Sequence, residues 1–171
     1  NPSWAFQVSA KSVTLPAWAY DTPYNYVSPS QIGIWASRED CIETFISRAY
    51  DYLGTGYWWD AALAPGVGVD CAGLVVQCLY ACGVDLGDSY NPADHMYYND
   101  HYANDMSVDG RFAWVDYGDR QRGDLIFYPG HVAIYLGNDT IIEAYPGSVQ
   151  INGIGSHYGV GAITAVRRPF I

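Results

Sequence analysis

Two residues in this chain combine the right type with the right setting for covalent chemistry: Cys71 and His131. Asp70 stands before an apolar run, so it can cap a helix and put Cys71 in the first turn. Backbone amides at a helix start stabilise a thiolate, which lowers a thiol pKa, and they can receive an oxyanion during acyl transfer. A free cysteine is as much at home packed in a core, and Cys71 alone leaves the two readings evenly matched. His131 separates them. It opens a strand after Pro129-Gly130, at an edge where an imidazole can face a cleft.

Alternation over 131–136 sends His131, Ala133 and Tyr135 to one face, and Val132, Ile134 and Leu136 to the other. Over 140–145, Ile142 and Ala144 alternate with Ile141, Glu143 and Tyr145. A three-residue hairpin loop, Gly137-Asn138-Asp139, pairs Leu136 with Thr140, Ile134 with Ile142 and Ala133 with Glu143. His131 and Glu143 then share a face as diagonal neighbours. A two-residue loop would put them on opposite faces and bury the carboxylate in the core. The first register gives Cys71 as nucleophile, His131 as general base and Glu143 as the group that holds the imidazole in the right tautomer. Glu143 as a solvated strand residue is the plainer reading, but a single acid in an otherwise apolar strand favours the orienting role.

These residues need elements to position them. Ser37 is a good N-cap, with Glu39 and Asp40 in the first turn, and Ile42, Phe45, Ile46, Ala49 and Leu53 follow at helical spacing. The spacing predicts a helix over about 38–53, ended by Gly54. A second runs from Cys71 to Cys82, stopped by Gly83, and is apolar nearly all round, so it should be central and buried. Asn91-Pro92, followed by Asp94, signals a further short helix start. Strand-like runs come later, at 124–128, 131–136, 140–145 and 162–167. Helices first and strands afterwards predict an α+β domain with an antiparallel sheet.

The chain has 171 residues, 50% apolar and only 15% charged, so one folded domain is expected and general disorder is excluded. The net charge is −10 and Lys11 is the only lysine, which argues against nucleic acid and anionic membrane surfaces as partners. No apolar run approaches the roughly 20 residues of a membrane span. Residues 1–36 hold four prolines and three of the six tryptophans, and read as an aromatic arm before a domain over 37–171. The start, Asn1-Pro2-Ser3-Trp4, shows no initiator Met or signal sequence, so a mature or excised fragment is expected. Cys41, Cys71, Cys78 and Cys82 form no Cys-x-x-Cys pair. His95 and His101 lie in an acidic, Tyr-rich stretch, but their spacing does not put both on one helix face, so solvated surface is expected there. No metal or cofactor is called for. His157 sits in a Gly-rich loop with no partner assigned.

Asp70-Cys71-Ala72-Gly73-Leu74-Val75 resembles the Asp-Cys-Ser-Gly-Leu-Val motif of the NlpC family of cell-wall cysteine peptidases. Gly123 to Phe127 and His131 to Asn138 are similar to that family's second signature, and Gly56-Tyr57-Trp58-Trp59 to the Tyr-containing stretch before the nucleophile. The resemblance covers about residues 38–168. It implies a papain-like fold and cleavage of peptidoglycan stem peptides between D-glutamate and the diamino acid. It implies also that Tyr57 lends its hydroxyl near the oxyanion site, with Asp70 and position 72 beside the substrate. Three departures stand out: Ala72 replaces the motif serine, Asp60-Ala61 replaces the usual Gly-Gly, and Glu143 stands where the family most often has His.

The resemblance implies a secreted or wall-associated bacterial enzyme, acting as a monomer without membrane insertion. An amidase of the related CHAP type and a catalytically silent wall-binding module are the alternatives. If Tyr57 and Cys71 meet at the site, the two helices run antiparallel and leave Cys41 near Cys82. Such a pair can close as a disulfide or remain as separate buried thiols.

Overall fold

The computed structural model describes residues 26–86 and 103–171. Residues 1–25 of the 1–36 arm, the helix start expected at Asn91-Pro92, and both His95 and His101 lie outside the described residues. The described residues form α1 (Arg38–Asp51), α2 (Cys71–Ala81), α3 (Ala103–Ser107) and a six-stranded sheet. Its strands are β1 (Ala113–Val115), β2 (Leu125–Tyr128), β3 (His131–Gly137), β4 (Thr140–Tyr145), β5 (Ser148–Gly153) and β6 (Ala165–Arg168). They lie in the order β1-β6-β2-β3-β4-β5, every pair antiparallel. This is the α+β, papain-like arrangement of helices packed on a central antiparallel sheet.

The Ser37 hydroxyl accepts the Asp40 N–H at 3.1 Å while the Asp40 carboxylate accepts the Ser37 N–H at 2.8 Å, a reciprocal cap that starts α1. Cys41, Ile42, Phe45, Ile46 and Ala49 are buried along one side. The helix stops at Asp51, two residues short of the expected end, because Tyr52 caps it and Gly54 turns the chain at φ +81°. Leu53 is left outside, exposed.

Every residue of α2 is buried. Gln77, a polar side chain in that setting, is fully satisfied: its oxygen accepts from the Ser28 N–H and hydroxyl, and its nitrogen donates to the carbonyls of Tyr26 and Ala62. These bonds dock the end of the aromatic arm onto the domain, with Val27 in the core. Cys82 Sγ lies 3.3 Å from the Cys41 carbonyl oxygen, so α1 and α2 bring the two residues together, yet all four thiols are free.

Gly73 explains itself by contact. A Cβ there would sit 2.1 Å from the Ala61 carbonyl oxygen, which is backbone and cannot yield. Gly73→Ala is therefore expected to cost about 3 kcal/mol or more and lower Tm by roughly 6–12 °C, read by thermal denaturation.

The sheet follows expectation in β2, β3 and β4 and departs from it elsewhere. The run predicted at 162–167 forms strand only from Ala165, because Val160–Ala162 is a short 3-10 turn. The strands β1 and β5 were not anticipated. The β3–β4 loop is two residues, Asn138 and Asp139, with φ +50° and +55°, and not the three-residue loop expected. Gly137 pairs with Thr140 where Leu136 was expected, but a register shift between Tyr135 and Gly137 returns Ile134 to Ile142. The extra residue cancels the face reversal a two-residue loop would impose, and Glu143 stays on the face of His131.

Alternation then makes two cores. Leu125, Phe127, Val132, Ile134, Ile142 and Ala144 pack against α1 and α2. Ile126, Tyr128, Ala133, Tyr135, Ile141 and Val166 pack on the opposite face under Ile154. Asp124, buried, accepts two bonds from the Arg168 guanidinium at 2.7 and 2.8 Å and ties the start of β2 to the end of β6.

Candidate active site

Asp70 builds the start of α2. One carboxylate oxygen accepts the Gly73 N–H at 2.7 Å, and the other accepts the Asp60 N–H at 3.0 Å. Its own N–H donates to the Ala61 carbonyl at 2.8 Å, so loop and helix are locked together. Cys71 follows, only 7% exposed. The N–H groups of Val132, Ala72 and Cys71 itself favour negative charge on its sulfur. Val132 is the residue after His131, so the thiol lies against the start of β3.

The helix start does not lower this thiol's pKa, contrary to expectation. Burial, and then the negative charge of Asp70, outweigh the amides and push it up to about 12. The thiol is therefore held as neutral S–H. Burial also raises Cys78 and Cys82. A group whose folded pKa is raised stabilises the fold fully below its unfolded pKa and loses that contribution above it. The protein should thus hold its Tm up to about pH 8.5 and lose it steeply between pH 9 and 12, by up to ~1.4 kcal/mol per unit for each such thiol. Thiolate absorbance near 240 nm in the folded protein should show no step for Cys71 below pH 10; a step near neutrality would contradict this.

His131 and Glu143 form a buried pair, with imidazole Nε2 2.6 Å from Oε2 of the carboxylate. With a carboxylate as the only partner at Nε2, a neutral imidazole carries its hydrogen there, donates it to Glu143 and leaves a lone pair on Nδ1. The other carboxylate oxygen accepts from the Asn152 amide at 2.9 Å and lies 2.9 Å from His157 Nε2. Neither Asn152 nor a partner for His157 follows from reading β3 and β4 alone. Both depend on β5, where Asn152 pairs with Ile141 and so lies diagonal to Glu143 on the same face. The available signal was Pro146-Gly147, a tight turn that joins Tyr145 to Ser148.

Aromatic rings enclose the imidazole. Tyr158 stacks on His131 with centroids 5.4 Å apart and on Tyr128 at 5.1 Å, while Tyr145 meets His131 edge-on at 5.8 Å. Tyr57, half-buried, is tied by backbone bridging to Val69, directly before Asp70-Cys71. Burial, then the charges of Cys71 and Asp70, raise the Tyr57 pKa, so its phenol stays a hydrogen-bond donor. The Ala72 methyl is buried in the core; what this residue presents to the sulfur is its N–H. Among the described residues, no group of three His, Cys, Asp or Glu side chains is placed to hold a metal ion, and no helix is long and apolar enough to cross a membrane.

The family model described as NlpC/P60 matches residues 48–168. The chain is 31% identical over 125 residues to peptidoglycan endopeptidase RipA of Mycolicibacterium smegmatis, covering 64% of this chain and 22% of that protein. It is 25% identical over 164 residues to the bifunctional muramidase/DL-endopeptidase CwlT of Bacillus subtilis, covering 90% of this chain and 45% of that protein. It thus spans less than half the length of either relative. The solved structure of the peptidoglycan hydrolase RipB from Mycobacterium tuberculosis superposes with a TM-score of 0.61 at 26% identity, covering 93% of this chain and 74% of that one. A motif-bearing helix start, a shared fold and a family match across most of the domain converge: the chain belongs to the NlpC/P60 family.

Proposed function

We propose that this chain is a peptidoglycan hydrolase, a cysteine endopeptidase that cuts the stem peptide between D-γ-glutamate and the following diamino acid. The observation that carries the reading is the buried His131–Glu143 pair at 2.6 Å, set on the strand whose next amide meets the sulfur of Cys71. The names of the relatives, a peptidoglycan endopeptidase and a DL-endopeptidase, support the substrate class. Such a substrate puts the enzyme outside the cell membrane, at the wall.

His131 Nδ1 takes the thiol proton as Cys71 Sγ bonds to the γ-carbonyl carbon of the D-glutamyl residue. The electron pair moves to the carbonyl oxygen, and N–H groups at the start of α2, with the Tyr57 hydroxyl, stabilise that charge. Collapse breaks the carbon–nitrogen bond as the His131 imidazolium protonates the departing amine. Water, deprotonated by His131, then hydrolyses the thioester and frees the glutamyl carboxylate. Glu143 stays ionised throughout and balances the imidazolium.

The test is mass spectrometry of muropeptides digested with this chain. Fragments ending in L-Ala-D-Glu, with the diamino acid newly N-terminal, are expected. Release of whole stem peptides from muramic acid would identify an amidase, and intact substrate would leave a silent module.

A further inference from the structure

We propose that His157 is a positioning residue, a second imidazole on Glu143 whose protonation competes with His131 for the same carboxylate. The inference rests on the peptidase reading above and deepens it.

Glu143 is 1% exposed and engages three side chains: His131 on Oε2 at 2.6 Å, and Asn152 and His157 on Oε1, each at 2.9 Å. The His157 ring lies flat on Tyr145, centroids 3.7 Å apart and planes 6° from parallel, so its Nε2 is aimed rather than free to swing. Asn152 Nδ2 also lies 3.0 Å from that Nε2, which puts amide, imidazole and carboxylate in mutual contact. When His157 is neutral, its Nε2 accepts the Asn152 amide, adds no charge beside the carboxylate and leaves that charge for His131. When His157 is protonated, two cations share one buried carboxylate, and the imidazolium His131 must become in the reaction is disfavoured.

The groups facing this cluster are Glu143 and Tyr145 from β4, Asn152 from β5, His131 from β3, Tyr128 from β2, Tyr158 beside His157, and Cys71 from α2, whose thiol burial keeps protonated throughout the acid range. Burial raises Tyr128 and Tyr158 above the usual phenol range, so neither titrates in acid. Activity then requires both imidazoles neutral, and a proton on either removes it. The acid limb of kcat/KM accordingly lies at higher pH than His131 alone would put it. Removing the second site lowers the limb, by about 0.3 pH unit if the imidazoles share the proton equally and by more if His157 takes it first.

The experiment compares the wild-type chain with His157→Gln and His157→Leu on a defined stem peptide across acid pH. His157→Leu should lose about tenfold in kcat. His157→Gln keeps an oxygen to accept the Asn152 amide and should recover most of that loss, with its acid limb moved to lower pH. A limb that stays in place or moves upward in His157→Gln overturns the proposal. A second arm follows the His131 ring by nitrogen-15 NMR in the Cys71→Ala background. There the titration should show two inflections, reduced to one when His157→Gln is added, and identical titrations would equally overturn the proposal. The NMR arm needs no turnover, so a chain that cleaves no stem peptide defeats the peptidase reading alone, and uncoupled histidines in an active chain defeat this inference alone.

Discussion

Cys71→Ala is expected to abolish hydrolysis while leaving the protein folded. Removing a covalent nucleophile leaves only the rate that binding and oxyanion stabilisation provide, a loss on the order of a millionfold. The fold should tolerate the change. Cys71 opens α2, where Asp70 rather than the thiol makes the cap, and alanine is the better helix former. A thermal melt within a few degrees of wild type, beside a rate assay, separates lost chemistry from lost structure. Activity within a thousandfold of wild type would mean that Cys71 is not the nucleophile.

Glu143→Gln is expected to lower kcat/KM by about 10²–10⁴. The carboxylate accepts on both oxygens, from His131 on one side and from Asn152 on the other. An amide has one accepting oxygen and one donating nitrogen, so either orientation sets a donor against a donor. With its nitrogen toward His131, the imidazole must carry its proton on Nδ1 and can no longer take the thiol's. With its oxygen toward His131, the tautomer survives but the charge that balances the imidazolium is gone. A rate within threefold of wild type would show that another group orients His131.

The parts of this site that were legible in advance rest on local rules. Ser37 and Asp70 mark helix starts because a side-chain oxygen beside free amides has one good use, and the structure shows both caps. His131 and Glu143 share a face because alternation has period two and the apolar residues opposite must be buried. The route to that register was misread. Asn138-Asp139 adopts a two-residue turn, and a bulge beside Tyr135 restores the pairing, a compensation visible only when strand twist and turn type act together. The thiol expectation failed for a different reason. Amides at a helix start act over one turn, but burial is set by the whole packed chain and here acts the other way. His157 and Asn152 reach Glu143 through the stretch 144–157 around β5, whose Ser-Val-Gln-Ile-Asn-Gly run carries too few apolar residues to announce a strand.

A direct test of the central claim, that Cys71 forms a thioester with the D-glutamyl residue, is rapid-quench intact-protein mass spectrometry. The chain would be mixed with a stem peptide carrying L-Ala-D-γ-Glu before a diamino acid, quenched in acid within milliseconds to seconds, and digested to locate the adduct. An L-Ala-D-γ-Glu acyl group is expected on the peptide containing Cys71, released by hydroxylamine and absent from Cys71→Ala. Turnover of the peptide with no such adduct, continuing undiminished in Cys71→Ala, would contradict that claim.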